Sequence, residues 1–345
     1  MKEVIFILAL LLACQSFQFG SRSKPVQSGP PPNNYPIRAV YVDRSDYWYG
    51  DKIAEALAVP GIAPPHQYNY VLLAFWMCSS GPTDMAGLWA NAYTNFGPQS
   101  QFGKSTDEIQ KTLKKKYNDA GVKIMVSAFG ATEFPTSAGA DPTVCAQKLG
   151  KFVKDNNFDG ADLDWEDNDA MKRGTGEAWL ITFTKVLRKE LPNHIITHAP
   201  QAPYFKNEYY THGAYKTIHD QVGDLIDFYM VQFYNQVDSK YDTYEELFVK
   251  ASGSEFNGTS VKEIAARGIP LRKIVIGKPV KQSDASNTGW ISMDDFATFN
   301  QQGYKKLGWY AGVMFWQYPS DKDGSAVKTV SDFLIKQCKK SGECV

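Results

Sequence analysis

A repeated alternation constrains the fold of this chain more than any other feature. Short apolar runs are each followed by a loop with glycine, asparagine or aspartate, and then by a stretch of helical periodicity. Such runs are typical of buried strands, and the stretches between them are typical of amphipathic helices. Eight of the runs occur, at 38–42, 70–76, 123–129, 158–166, 194–199, 227–234, 273–278 and 312–316.

Strands that alternate with helices assemble as parallel βα units, so the chain is predicted to be an α/β protein. Eight units in one domain favour a (β/α)8 TIM barrel over an open, doubly wound sheet. The open sheet is the alternative, but no GxGxxG motif follows the first run to support a nucleotide site. In a barrel, catalytic side chains come from the carboxyl ends of the strands.

The amino-terminal residues predict an exported protein. An apolar run from Val4 to Ala13 has the length of a signal-peptide core and is too short to span a membrane. We expect a signal peptide at 1–20, a Pro- and Ser-rich tether at 21–36, a folded domain at 37–345, and secretion without a transmembrane segment. Residues before Cys14 also resemble a lipobox, although an ordinary cleavage region is the alternative. Lys plus Arg equals Asp plus Glu at 37 each, so no net charge favours nucleic acid as a partner.

The cysteines suggest disulfides. Without Cys14, four cysteines remain in the exported chain, and an even number in an oxidising compartment is typical of two disulfides. Cys338 with Cys344 would close a short loop, which leaves Cys78 to pair with Cys145. The alternative for Cys145 is a buried thiol on a helix face. No CxxC spacing occurs, so no metal site is predicted.

The stretch FDGADLDWEDND, residues 158–169, places six carboxylates at the end of the fourth run. Side chains alternate between the faces of a strand, so Asp162, Asp164 and Glu166 should share one face at spacings of about 6 to 7 Å. Three carboxylates this close in a partly buried site do not ionise independently. One pKa should therefore rise, which would give a general acid near neutral pH.

A solvated acidic turn and a calcium site are the alternatives for this cluster. A calcium loop that began at Asp162 would need glycine at its sixth position and glutamate at its twelfth, where the chain has Asp167 and Arg173. Apolar residues within the stretch disfavour a purely solvated turn. Asp167 and Asp169 fall outside the alternating set and are expected to lie in a solvated loop.

The eight residues from Asp159 to Glu166 match the pattern DGxDxDxE and resemble the signature of glycoside hydrolase family 18, the chitinases and endo-β-N-acetylglucosaminidases. Other strand ends, at 199–203, 231–235 and 312–316, are similar to the plant-type branch of this family. The resemblance implies a TIM barrel that acts on chitin or N-acetylglucosamine oligosaccharides and needs neither a cofactor nor a metal. We expect a monomer.

The resemblance also implies a retaining mechanism in which the acetamido oxygen of the substrate is the nucleophile. Glu166 would protonate the glycosidic oxygen and later activate water, while Asp164 would orient and stabilise the oxazolinium intermediate. Asp162 would exchange a hydrogen bond with Asp164 and share one proton with it. Tyr234 would hold the acetamido group through its hydroxyl, which completes the expected catalytic set.

Further residues of the matching segments would contact substrate. Trp316 would form the apolar floor beneath a sugar ring, and Gln232 would lie beside the acetamido group. The other expected substrate contacts are Asn235, Asp159, Ser127, Phe75 and Gln201. The third run departs from the family pattern SxGG at Phe129, which is expected to alter the wall beside the site.

The predicted function is a secreted chitinase that cuts β-1,4 bonds between N-acetylglucosamine units. The stretch between the last two runs is too short for the α+β insertion domain of the bacterial-type branch, which favours an open groove and internal cleavage. One alternative is an endo-β-N-acetylglucosaminidase that acts on N-glycan cores. Another is a non-catalytic chitin- or glycan-binding lectin, although such lectins usually lack the glutamate found here at Glu166.

Overall fold

The computed structural model describes residues 35–44, 68–91 and 106–341. Its strands are β1 (Ile37–Val42), β2 (Tyr70–Met77), β3 (Gly81–Pro82), β4 (Lys123–Gly130), β5 (Gly160–Trp165), β6 (Ile195–His198), β7 (Phe228–Gln232), β8 (Ile274–Pro279) and β9 (Gly312–Trp316). All of them except β3 are parallel, and β1 pairs with both β2 and β9, which closes a barrel of eight strands. Strand β3 is a short antiparallel partner of β2.

Helices surround the barrel. They are α1 (Asp84–Asn91), α2 (Thr106–Asp119), α3 (Pro142–Asp155), α4 (Asn168–Arg173), α5 (Gly176–Glu190), α6 (Ala214–Val222), α7 (Val261–Ala266), α8 (Met293–Leu307) and α9 (Ser325–Ser341). Helix α3 shows how the sequence sets their ends, because the Asp141 carboxylate accepts hydrogen bonds from the first backbone N–H groups and Pro142 occupies the first turn.

Each of the eight apolar runs becomes one barrel strand, so the predicted (β/α)8 barrel is confirmed. Burial on both faces is the physical reason: every residue of β5 and of β8 is buried. Outward-facing side chains pack beneath the helices, as Trp165 does against Gly176 at the start of α5. Inward-facing side chains fill the barrel. A polar side chain is tolerated there only where it finds hydrogen-bond partners.

The connection from β8 to β9 contains only a short 3-10 helix, Gln282–Asp284, and α8. These residues are all described and include no strand, so the expected absence of an α+β insertion domain at this position is confirmed. The carboxyl end of the barrel is therefore bordered on this side by a loop and one helix.

One of the two predicted disulfides is present. Cys78, directly after β2, is bonded to Cys145 of α3, so Cys145 is not a free thiol. The second predicted pair includes Cys344, which lies outside the described residues, as do the predicted signal peptide, Cys14 and the tether up to residue 34. Across the described ranges, every helix is too short or too polar to cross a bilayer.

Candidate active site

Strand β5 carries Asp162 and Asp164, and Glu166 follows its last residue. In the sheet register Asp162 lies between Ser127 of β4 and Thr197 of β6. These neighbouring strands place hydroxyl groups on both sides of a carboxylate that is fully buried in the barrel. Since a buried charge needs hydrogen-bond partners, this register decides how Asp162 is accommodated.

Asp162 accepts three hydrogen bonds from hydroxyl groups. Tyr41 Oη and Ser127 Oγ donate to Oδ2 at 2.6 and 2.8 Å, and Thr197 Oγ1 donates to Oδ1 at 2.7 Å. Burial raises the pKa of Asp162 to about 6, against the opposing effect of these hydrogen bonds. Asp162 therefore lies beneath the site, held by hydroxyl groups from three strands.

Asp164 and Glu166 form a coupled pair of carboxyl groups that share a hydrogen bond. Burial, the charge of Glu166 and the charge of Asp162 raise the pKa of Asp164 well above its usual value. Burial also raises the pKa of Glu166, but hydrogen bonds from Gln201, Gln232 and Asp164 act against this. The two carboxyl groups therefore titrate as a pair and hold a proton to higher pH than free carboxyl groups do.

The hydrogen-bond partners of Asp162 and Asp164 differ from the sequence-based expectation. The family resemblance implies a proton shared between Asp164 and Asp162, but the oxygens of Asp162 are occupied by the hydroxyl groups of Tyr41, Ser127 and Thr197. The hydrogen bond of Asp164 is made with Glu166 instead.

Two glutamine amides hold the carboxyl pair. Gln232 Nε2 donates to Asp164 Oδ1 at 2.9 Å and to the backbone oxygen of Ala199 at 3.0 Å. Gln201 Nε2 donates to Glu166 Oε2 at 3.0 Å. Gln232, the last residue of β7, thus serves Asp164, and Gln201, which follows β6, serves Glu166.

Asp164 and Glu166 line a cavity of about 480 Å³ at the carboxyl end of the barrel strands. Tyr234 also lines it, and its side chain is only 5% exposed. Burial and the nearby charges of Asp164 and Glu166 raise the pKa of Tyr234, so its hydroxyl stays a neutral hydrogen-bond donor. Of the residues expected to contact substrate, the following line the same cavity: Phe75, Gln201, Gln232, Asn235 and Trp316.

Aromatic rings form one wall of the cavity. Trp316, at the end of β9, stacks on Phe75 with ring centroids 6.4 Å apart and an interplanar angle of 22°. The ring of Tyr41 lies beneath Trp316, with the two ring centroids 5.8 Å apart. Trp316 keeps part of its surface open, so it offers a flat apolar face beside the carboxyl pair.

Asn235 lines the cavity and also anchors a loop. Its Oδ1 accepts hydrogen bonds from the backbone N–H groups of Ser286 and Asn287, at 2.8 and 3.2 Å. Gly289 of the same loop has a φ of +95°, and a Cβ there would lie 2.4 Å from the Cα of Tyr234. The loop after β8 therefore packs directly against the backbone that carries Tyr234.

Two residues expected to contact substrate lie elsewhere. Asp159 precedes β5 at the amino end of the barrel, where it accepts a hydrogen bond from the Ile124 N–H at 2.8 Å and pairs with Lys114. Its interaction is structural, because the cavity is at the opposite ends of the strands. Ser127 is fully buried and acts through Asp162 without reaching the cavity.

Phe129 does not form a wall of the site. Its φ of +81° turns the side chain out of the strand alternation, and the ring packs against Trp76, Trp179 and Phe183 beneath the helices. Gly130 follows it, and a Cβ there would lie 2.8 Å from the ring of Phe75. At this point the wall of the cavity is therefore formed by the ring of Phe75, which packs closely against Gly130.

The expectation that Asp167 lies in a solvated loop is wrong. Asp167 is 1% exposed, caps α4 through the Ala170 N–H, and accepts hydrogen bonds from the backbone and hydroxyl of Ser137. It ties the loop after β4 to the loop after β5. Asp169 is exposed, as expected.

Sequence reasoning missed several residues of the site. Tyr41 and Thr197 stand at polar positions in otherwise apolar strands, and this is the same signal that identified Asp162. Charged residues of the cavity rim follow β1 or stand at the ends of short helices, where strand periodicity does not apply; they are Asp43, Arg44, Asp84 and Asp284. Within the described ranges, no group of three or more His, Cys, Asp or Glu side chains could hold a metal ion.

The site thus combines a carboxyl pair with raised pKa values, a neutral phenol donor and an aromatic wall. Such a pair can donate a proton to a leaving group and then accept one from water. The second carboxylate can stabilise a positive charge that develops beside it. This arrangement suits the cleavage of a bond through a cationic transition state.

Comparisons with known proteins agree with this chemistry. A family model described as Glycosyl hydrolases family 18 matches residues 38–303. Chitinase 1 of Aphanocladium album is 25% identical over 305 residues, which are 81% of this chain and 68% of that protein. Two further chitinases, from Enterococcus faecalis and Metarhizium robertsii, are matched over 63% and 58% of their lengths, so the chain spans less than two thirds of these relatives.

Solved structures show the same architecture. A family 18 chitinase from Pseudoalteromonas aurantia superposes with a TM-score of 0.63 at 25% identity, over 86% of this chain and 99% of that one. A fungal endo-β-N-acetylglucosaminidase of family 18 gives a TM-score of 0.59 at 18% identity, over 86% and 97% of the two chains. The second likeness concerns the fold alone.

Proposed function

The chain belongs to glycosyl hydrolase family 18, and from this premise we propose that it is a secreted, monomeric chitinase that cuts chitin internally with retention of configuration. The observation that carries the proposal is the Asp164–Glu166 pair, whose carboxyl groups have raised pKa values and line one cavity with Tyr234 and the ring of Trp316. The apolar run at Val4–Ala13 and the disulfide support export.

In the first step the sugar whose glycosidic bond breaks lies on Trp316, with its acetamido group toward Asp164 and Tyr234. The acetamido carbonyl oxygen bonds to C1 as the glycosidic C1–O bond breaks, and Glu166 transfers the proton of the pair to the leaving oxygen. Tyr234 donates a hydrogen bond to the acetamido group and holds its oxygen in line. Asp164, now charged, stabilises the positive oxazolinium ion next to it.

In the second step water attacks C1 from the face that the leaving sugar has vacated. Glu166 accepts a proton from this water, the C1–O bond to the acetamido oxygen breaks, and the pair regains its single proton. Two displacements at C1 return the original configuration. Asp162 keeps a negative charge beneath the pair and thereby supports the high proton affinity of Asp164.

Glu166→Gln tests the proposal, with Glu245→Gln as a control because Glu245 is exposed and lies outside the set of residues that line the cavity. We expect the purified wild type and the control to release products from a chito-oligosaccharide. Glu166→Gln should bind the same oligomer with little change in affinity and release nothing, because the amide cannot supply a proton.

The substrate class is tested with the same proteins. Chito-oligosaccharides and a high-mannose glycopeptide are compared as substrates, and the anomer released first is identified by NMR. Cleavage of the glycopeptide alone would replace chitinase with endo-β-N-acetylglucosaminidase. Binding of the oligomer by the wild type without release from either substrate would exclude a hydrolase and leave a lectin.

A further inference from the structure

Two glutamines lie side by side above the carboxyl pair, and each serves a different carboxyl group. Gln201 and Gln232 form a parallel β-bridge, and the Gln232 N–H donates to the backbone oxygen of Pro200 at 2.9 Å. From this position Gln232 donates to Asp164 and Gln201 donates to Glu166. Gln201 donates to Glu166 and not to Asp164, whereas Gln232 acts on both carboxyl groups.

Gln201 is held at Glu166 independently of any ligand. Its backbone lies between Pro200 and the 3-10 helix Ala202–Phe205, whose residues are all buried. Tyr204 of this helix donates a hydrogen bond at 2.9 Å to Asn168, two residues after Glu166. The segment that carries Gln201 and the segment that carries Glu166 thus form one fixed unit, so the 3.0 Å contact between the two side chains exists before a sugar arrives.

An amide N–H bonds more strongly to a charged carboxylate than to a neutral carboxyl group. Gln201 therefore favours negative charge on Glu166 and leaves the proton on Asp164. We propose that Gln201, which the sequence predicts to bind substrate, is a positioning residue that decides where the shared proton resides and sets the upper pH limit of hydrolysis. This inference rests on the proposed function and deepens it.

The inference requires that other charges near Glu166 stay constant when Gln201 is changed. Groups that face Glu166 come from its own strand, from β7 and from the turn after β6; they are Asp164, Gln232, Tyr234 and Tyr204. Charged groups from other segments line the same cavity; they are Asp43, Arg44, Asp84 and Asp284. Each of these is present in every variant below, so a difference between variants reports on position 201.

Two substitutions at Gln201 give opposite predictions. Gln201→Met removes the donor at similar length, so the anion of Glu166 loses stabilisation and the pair holds its proton more tightly. Gln201→Lys places a cation near the same oxygen and releases the proton more easily. The alkaline limb of the kcat/KM profile should move up by about one pH unit in the first variant, roughly a tenfold change in proton concentration, and down in the second.

The experiment records kcat/KM from about pH 4 to 10 on a chito-oligosaccharide and, separately, the ¹³C NMR titration of carboxyl-labelled glutamate. The Glu166 signal is identified by its loss in Glu166→Gln. Gln221→Met, on the exposed side of α6, is the matched control and should leave both curves unchanged. Opposite shifts of the Glu166 titration in the two Gln201 variants support the inference.

If the variants lose activity but the pH limits of kcat/KM and the titration of Glu166 stay where they are in the wild type, the inference is overturned. Gln201 would then have a packing or substrate-binding role. If one variant does not fold, the other still has a predicted direction of its own. If the wild type releases no oligosaccharide, the proposed function fails, but the NMR titration still decides the role of Gln201.

Discussion

Tyr41→Phe tests the account of the buried Asp162. The substitution removes one oxygen atom and with it the 2.6 Å hydrogen bond to Asp162 Oδ2, while the ring stays beneath Trp316. A hydrogen bond to a charged carboxylate contributes about 1.5–3 kcal/mol, which corresponds to roughly one to two pKa units. The pKa of Asp162, about 6 in the wild type, should therefore rise to roughly 7–8 in the variant.

The effect on stability has a defined pH window. Burial holds the folded pKa of Asp162 above its unfolded value of 3.8, so between 3.8 and about 6 the folded wild type keeps a proton that the unfolded chain has lost. Stability falls with rising pH in that interval. In Tyr41→Phe the fall continues to roughly pH 8, so the stability gap to the wild type should widen by about 1.5–3 kcal/mol between pH 5 and pH 8.5.

Urea unfolding at several pH values between about 5 and 8.5 measures this gap. Tyr241→Phe is the control, because its buried hydroxyl bonds to Thr259 Oγ1 at 2.6 Å, a partner that does not titrate. Its stability loss should be the same at every pH. A gap for Tyr41→Phe that is equally independent of pH would refute the proposition that Tyr41 stabilises a charged Asp162.

Two further predictions concern the pair and the disulfide. Asp164→Ala should lower kcat by about 10²–10³-fold with a smaller change in KM, because it removes charge opposite the oxazolinium ion; near-normal turnover of a chito-oligosaccharide would contradict that role. The double substitution Cys78→Ser with Cys145→Ser should destabilise the fold by about 4 kcal/mol in urea unfolding, since the bond closes a sequence separation of 67 residues. Reduction of the wild type should give a similar loss, and a loss below about 1 kcal/mol in both would count against this account.

Much of the fold could be predicted because it depends on local periodicity. The eight apolar runs become the barrel strands since each must be buried on both faces. The alternation within β5 likewise brings Asp162, Asp164 and Glu166 into one constellation. These features depend on neighbours in the chain, which a single sequence displays.

Contacts between distant segments could not be predicted in this way. Asp167 and Asp169 stand in the same acidic stretch of the sequence, and Asp169 is exposed. Asp167 is buried because Ser137 from another loop provides its hydrogen bonds. Phe129 follows the strand alternation in sequence, but its positive φ turns it beneath the helices. In both cases the outcome depends on a backbone path and partners that local sequence does not specify.

The same division holds for the catalytic chemistry. The sequence by itself determined the barrel, the family resemblance and the identity of Glu166 and Asp164 as the central carboxyl groups, because these depend on residue type and spacing. Only the tertiary structure decided that Asp162 is held by Tyr41 and Thr197, and that Gln232 and Gln201 donate to Asp164 and Glu166. These hydrogen bonds depend on distances of about 3 Å between side chains from separate segments, and those distances arise only when the barrel closes.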